Sequence, residues 1–406
     1  MKKIVASFGA LLWIVLGICE TTHSQDQKPV KLVVCEPLSG PFRNIGERFL
    51  DGAKYAVREI NTQGGLLGHK VEIVPIDNQL KPDIAIQKIN ELSDKEQVRY
   101  VIVGTGSHIA LALSPLAKEK KFILFSYAKA DSLTGEKCNR YFFRTVANTS
   151  MHSGALAFWV VSHGYKKVFG IAQDYAFGRS AMAAFKKKLQ VLDPSVKMVG
   201  EIFHPLGEKN FGSHVSKIIS SGPEIVFTPN WGSDLALLLK QAGSSHLQAK
   251  FAGYYMNDSL LIRDMANDEA VIGNFAAENY MVSIPTEKNK EFVKKFYKDK
   301  GYYPDLPRGT SYMGTMFWAQ AIKKAGKNDV EAVIDTWEGL IYDGPAGKYY
   351  MRPCDHQAQM PMWTAKIVKD NPFFDHAYIG EATTIPTKFI VIPCMKSGCP
   401  GLKNER

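Results

Sequence analysis

From Lys31 onward the chain alternates short apolar, β-branched runs with stretches whose apolar residues recur at helical spacing. Residues 31–35 read as a strand. Phe49, Ala53, Ala56, Val57 and Ile60 fall on one helical face, so 46–62 read as a helix, stopped by Gly64 and Gly65. Strands over 70–77, 100–103 and 122–125 alternate with helices over 82–93 and 109–120. This βαβαβ order specifies a mostly parallel, doubly wound sheet. A second series follows: helices 150–163, 178–192, 211–220 and 234–241 alternate with strands 167–172, 197–203, 224–228 and 250–253. Helices 288–300 and 310–325 and extended pieces near 348–351, 363–368 and 389–392 complete the pattern. The expected fold class is α/β, with two similar lobes. No low-complexity linker separates them, which points to several short crossings rather than one tether. A length of 406 residues suffices for two such cores, and 45% hydrophobic content with 22% charged excludes a disordered chain.

The start of the chain is different. Lys2 and Lys3 precede an apolar run over 4–18, about 15 residues long, which ends in Glu20-Thr-Thr-His-Ser24. A spanning helix needs roughly 20 residues. A positive start, a short apolar run and small residues at Thr22 and Ser24 define a secretory leader over 1–24, cut after Ser24. Leu16-Gly-Ile-Cys19 resembles a lipobox, but Ile18 is large for the position before the cysteine, so a soluble mature chain is favoured over a lipoprotein. Export permits disulfides. Cys35 sits in an apolar strand and reads as a free core thiol. Cys138, Cys354, Cys394 and Cys399 allow two bridges in three pairings, and none has the C-x-x-C spacing of a zinc site. Without the leader, 48 basic and 39 acidic residues leave a net charge of +9. The lysines at 118–121 and 186–188 lie on helix faces, so no nucleic-acid partner is expected.

Doubly wound sheets also carry nucleotide enzymes. Gly104-Thr-Gly106 follows a strand and precedes a helix, but no third glycine completes a dinucleotide turn, and no phosphate-binding G-x-x-x-x-G-K-[ST] loop occurs. His204, His356 and His376 are candidate bases, and Asp355-His356 an acid–base pair, but no nucleophile elbow or H-E-x-x-H accompanies them.

Several ordered stretches carry a resemblance: Pro37-Leu-Ser-Gly-Pro41 with Gly46, Gly52-Ala53, Glu59-Ile-Asn61, Gly64-Gly65 and Gly68; Tyr100-Val-Ile-Val-Gly104 with Ser107; Leu133-Thr134 and Phe143-Arg-Thr145; and Asp174-Tyr-Ala-Phe-Gly178. Together they resemble the periplasmic solute-binding proteins of ABC importers, in the leucine/isoleucine/valine-binding family. The resemblance implies a type I periplasmic binding protein. Two lobes, 25–147 plus 279–351 and 148–278 plus 352–406 with the tail, join through three hinge crossings and close on one small ligand. It implies periplasmic location, an ABC permease in the inner membrane as partner, a monomer, and no catalysis, cofactor or metal. A sensory module of the same fold, presenting its closed form to a receptor, is the alternative.

The resemblance also assigns a site. Ser107 donates to a ligand carboxylate at the start of a helix, where free N–H groups suit an anion; backbone groups of Ala128 and Ala130 assist. Tyr175, Phe177, Trp231 and Tyr312 supply aromatic walls. Amino-acid binders of the family place a glutamate where this chain has Tyr255, and a tyrosine cannot offset an ammonium. Either Asp258 or Glu278 substitutes, or the ligand lacks an α-amino group; the second is simpler. Arg43 is a further anion partner. Finally, relatives with a cysteine after the Leu-Thr motif and another in a terminal Ser-Gly-Cys-Pro imply Cys138–Cys399, with Cys354 and Cys394 as the remaining pair; a local Cys394–Cys399 loop is the alternative.

Overall fold

The computed structural model describes residues 28–402, apart from 264 and 266–270. The leader, its cut after Ser24 and Cys19 lie outside the described residues.

Five strands form the first sheet: β1 (Val30–Glu36), β2 (Val71–Asp77), β3 (Tyr100–Val103), β4 (Ile123–Ser126) and β5 (Phe142–Arg144). Their order is β2-β1-β3-β4-β5 and every pairing is parallel. The helices α1 (Arg43–Thr62), α2 (Pro82–Lys95) and α3 (Ser107–Lys120) make the first three crossovers. Residues 100–103 are buried throughout, as a parallel strand covered on both faces requires. Cys35 is a buried free thiol, and burial pushes its pKa up to about 12, so it behaves as an apolar core residue.

The second sheet begins after α4 (Thr149–Ser162), whose first turn is capped by Asn148 accepting from the Met151 N–H. It contains β6 (Lys167–Gln173), β7 (Lys197–His204), β8 (Ile225–Thr228), β9 (Lys250–Gly253) and β10 (Phe275–Glu278), all paired in parallel. The connecting helices are α5 (Ala176–Leu192), α6 (Gly212–Ser220), α7 (Gly232–Ser244) and α8 (Ser259–Arg263). The chain then returns to the first sheet with α9 (Glu287–Lys300), α10 (Leu306–Ala325) and α11 (Val330–Trp337). Trp318 and Trp337 of these helices pack on Phe125 of β4.

A small antiparallel sheet follows, β11 (Ile341–Gly344), β12 (Gly347–Met351) and β13 (Ala358–Gln359). The chain last joins the second sheet through β14 (Met362–Val368), antiparallel to β10, with β15 (Tyr378–Ile379) and β16 (Thr383–Ile385) beside it. The lobes are therefore linked near 145–148, 279–286 and 360–361. Residues 356 and 357 stay with the first lobe, because Gln357 bridges Arg144 of β5 and the His356 ring lies 3.9 Å from that of Phe143.

Residues 389–392, expected to be extended, form no strand; 387–389 make a 3-10 turn. Pro386 and Pro393 bracket this stretch and cannot donate to a ladder. The Phe389 ring lies 4.4 Å from that of Phe158 on α4. The tail then runs to the first lobe, where Cys394 joins Cys354 and Cys399 joins Cys138. These are the pairs the resemblance implied, and the local Cys394–Cys399 loop is ruled out.

Candidate functional site

Strand order reverses between β1 and β3 in the first sheet and between β6 and β8 in the second. At such switch points the loops leaving the strand ends diverge and open a crevice. The two crevices face each other and form one cleft. It is lined from the first lobe by Gly104–Ser107, Tyr127–Lys129 and Phe49, and from the second by Tyr175, Phe177, Trp231 and Tyr255. Val146 and Asn279, on two of the crossings, also line it.

The first-lobe wall is a backbone turn. Gly106 has φ +87°, a left-handed conformation that favours glycine, and it delivers Ser107 to the first position of α3. The Ser107 hydroxyl accepts from the Ala130 N–H at 3.2 Å, and the Ala128 N–H donates to Ser126 Oγ at 3.0 Å. Both alanine amides thus have partners within the protein. The buried Arg144 guanidinium donates to the carbonyls of Ala130 (2.6 Å) and Ala128 (3.3 Å), fixing the loop from below. The Gly104 and Thr105 N–H groups, expected to be free for an anion, instead donate to the Glu36 carboxylate at the end of β1. Glu36 is fully buried, and burial raises its pKa to about 7.

The second-lobe wall is aromatic. A Cβ on Gly178 would fall 1.9 Å from the Gln173 carbonyl oxygen, so only glycine lets α5 start this close to β6 with Tyr175 and Phe177 in the cleft. Trp231 Nε1 donates to the Tyr175 hydroxyl at 2.8 Å, satisfying the polar ends of both rings. Phe42 reaches across from the first lobe to within 5.0 Å of the Trp231 ring. Tyr255 packs against Phe177 at 6.2 Å.

Tyr312 is not part of this wall. Its hydroxyl donates to Glu59 at 2.6 Å and its ring stacks 4.3 Å from Phe292, while Leu306, Pro307 and Thr310 represent α10 in the cleft. Arg43 is also excluded, being exposed at the start of α1 and paired with Glu47 at 2.7 Å.

Two buried cations tie the lobes together, and the sequence reading anticipated neither. Arg48 of α1 makes a bidentate pair with Asp258 (3.0 and 2.9 Å) and a third bond to Asp305 (2.9 Å). Lys129, between the two alanines, lies 2.6 Å from Glu278 Oε1 and 3.0 Å from His152 Nε2, with its Nζ 4.4 Å from the centre of the Tyr255 ring. Burial pushes the Asp258 and Glu278 pKa values up, but their cationic neighbours outweigh it and hold both below the ordinary carboxylate range. Burial and the nearby lysine hold His152 low. Both carboxylates that were candidates for an ammonium ligand are thus already neutralised from within. The available signal was a charged residue inside an apolar or small-residue stretch: Glu36 after Lys31-Leu-Val-Val-Cys35, and Lys129 within Tyr127-Ala-Lys-Ala130.

The candidate bases have structural partners. Asp355 pairs with Arg352, not with His356, whose nitrogens face the Phe142 carbonyl and Glu338. His204 contacts the Pro205 carbonyl and Asn230, and His376 contacts Asp375. Among the described residues, no group of three or more His, Cys, Asp or Glu is placed to hold a metal ion.

Two doubly wound lobes, three links and a cleft at both switch points define a type I solute-binding protein. The chain belongs to the periplasmic binding protein family, whose sequence model matches residues 29–372. A curated relative, Leu/Ile/Val-binding protein homolog 4 of Brucella melitensis, is 29% identical over 373 residues, covering 84% of this chain and 85% of its own. The closed leucine-, isoleucine-, valine-, threonine- and alanine-binding protein of Brucella ovis superposes with a TM-score of 0.81 at 24% identity, over 90% of this chain and 97% of that one. A solute-binding protein of an ABC transporter from R. palustris, in complex with benzoate, gives 0.78 at 20% identity, over 92% and 100%. Membership places this protein outside the cytoplasm, and among the described residues no helix is long and apolar enough to cross a membrane.

Proposed function

We propose that this protein closes on a small carboxylate that lacks an α-amino group, aromatic or aliphatic, and delivers it to an ABC permease of the inner membrane. It acts in the periplasm as a soluble monomer released from its leader. The carrying observation is the Lys129–Glu278 pair. Glu278 is fully buried in the second lobe beside the cleft and is met by the chain's own ammonium at 2.6 Å. A ligand ammonium entering there finds no free carboxylate and a resident positive charge. Ser107, Tyr175, Phe177, Trp231 and Tyr255 bind the ligand, with Ala128 and Ala130 shaping the turn. The benzoate complex of the R. palustris relative supports the aromatic branch of this reading.

The lobes are taken as 25–147 with 279–361 and 148–278 with 362–386, the tail strapped back across both. The test is a matched pair of ligands on protein freed of co-purifying molecules: leucine against 4-methylpentanoate, and phenylalanine against 3-phenylpropanoate and benzoate. Calorimetric binding of the acids without their amines is expected. Tight binding of either amino acid with no binding of its deaminated partner would reverse the assignment. Single Ser107→Ala and Trp231→Ala variants should each lose affinity, and unchanged binding in both would move the site elsewhere.

A further inference from the structure

The amine-free reading rests on charge at one place, and the inference here deepens it. We propose that Lys129 is the specificity-determining residue of the cleft, its ammonium donating to the ligand's acid group and excluding ligands that bring an ammonium of their own.

Lys129 is the one cation among the residues lining the cleft within the described chain. An ammonium carries three N–H donors. Glu278 Oε1 takes one at 2.6 Å, and His152 Nε2 stands at 3.0 Å from the same nitrogen. The imidazole, held low by burial and the lysine, turns its Nδ1 to the Asn148 carbonyl at 3.0 Å, and the same Nε2 also lies 2.8 Å from Glu278 Oε2, so the carboxylate competes with Lys129 for it. No third acceptor meets Lys129 among the described residues, although its side chain is 7% exposed. A buried donor without a partner is costly, and ligand oxygen is the partner the cleft admits. Asn279 Oδ1 and Thr310 Oγ1, also lining the cleft, are buried without hydrogen-bond partners, so further polar capacity is held open in it.

The Tyr255 ring under Lys129 completes the arrangement. It stabilises a cation through its face and offers no negative charge to a second one. A carboxylate entering the cleft finds one charge-assisted donor. An amino acid finds the same donor, but its ammonium must lie beside Lys129 with Glu278 already engaged.

The discriminating variant is Lys129→Met, which keeps length and removes charge. It takes away the internal ammonium and leaves Glu278 available to a ligand's. Titration calorimetry at about pH 8, where His152 stays neutral, would compare 4-methylpentanoate with leucine on the ligand-free wild type and variant. The acid should weaken by about ten- to hundredfold, the range of a hydrogen bond to a charged group, and the leucine-to-acid affinity ratio should rise by at least as much. Lys129→Arg should retain the preference for the acid. Should Lys129→Met fail to fold, Glu278→Gln serves: it leaves the ammonium with neutral partners only, so the acid should tighten and leucine should remain excluded. The proposal is overturned if Lys129→Met, or in its stead Glu278→Gln, holds the acid within about threefold of wild type, or if acid and leucine change in parallel. A wild type that prefers leucine would instead overturn the amine-free reading on which the proposal stands.

Discussion

Arg48 and Lys129 are both buried cations that leave the first lobe to meet a carboxylate of the second, yet their surroundings differ. Arg48 is saturated. Asp258 and Asp305 take it at 2.9–3.0 Å; Asp305 also accepts from Arg308 at 2.7 Å; Arg308 reaches Asp51 at 2.8 Å, and Asp51 meets Lys300 at 2.7 Å. Three cations alternate with three carboxylates and no charge is left over. Lys129 has one carboxylate, one imidazole and a donor to spare. A complete network of this kind holds two bodies in register. A buried cation left one acceptor short is poised to recognise an anion. The same physics gives a latch beside the cleft and a reading head in its lining.

The largest test of this contrast is Arg48→Met. It leaves Asp258 with no cation and the buried Asp305 with Arg308 alone, and should cost roughly 3–5 kcal/mol, the usual penalty for removing one partner of a buried pair. Lys129→Met should cost less in urea unfolding, because Glu278 keeps a polar partner in His152 Nε2 at 2.8 Å. Equal losses would erase the distinction between latch and reading head. Asp258→Asn is gentler: Arg48 keeps Asp305, the fold survives, and only the link between lobes weakens. Solution scattering of the ligand-free Asp258→Asn variant should then show a larger radius than wild type, whereas Glu278→Gln should not.

A smaller effect follows from acid. The folded-state pKa values of Asp258 and Glu278 lie below their ordinary ones, so each stabilises the fold above the unfolded value and loses that contribution as pH falls through the folded value. Wild-type stability should therefore drop between about pH 5 and about pH 2. A combined Asp258→Asn and Glu278→Gln protein should show a shallower drop across that window in pH-resolved thermal melts. An unchanged slope would mean that neither carboxylate is held by its cation.

Most of the sheet framework was legible because burial on both faces writes itself as continuous apolar runs. Tyr100–Val103 and Lys250–Gly253 fall where the pattern put them. The exceptions were β5, β10, β11, β13, β15, β16, α8 and α11, short or flanked by polar residues, and the tail, where two prolines interrupt an apolar run. In the site, the turn at Gly104–Ser107 and the aromatic loops were legible because glycine and aromatic residues at strand ends carry local meaning. The charges were not. Arg48 meets Asp258 across 210 residues and Lys129 meets Glu278 across 149, and no local pattern joins such partners. Tyr312 failed for the converse reason: an aromatic at a helix start reads alike whether it faces a cleft or, as here, Glu59 and Phe292.

Glu36 extends the contrast to a buried charge with no cation among its hydrogen-bond partners. Its carboxylate is held by the N–H groups of Gly104 and Thr105, and burial dominates, raising its pKa to about 7. A raised folded value means that its contribution to stability is full below the unfolded value and is lost as pH rises through about 7. A carboxylate ligand on the same turn repels the ionised form, so binding should take up a fraction of a proton near neutrality, and affinity should fall several-fold between about pH 6 and about pH 8. Glu36→Gln retains an oxygen for one of the two N–H groups and has no charge to titrate, so its affinity should be flat over that range. Calorimetry in two buffers of different ionisation enthalpy reads the proton directly. Proton uptake that persists in Glu36→Gln would shift the titrating group to the Lys129–Glu278–His152 cluster, and that cluster rather than the turn would then carry the pH response.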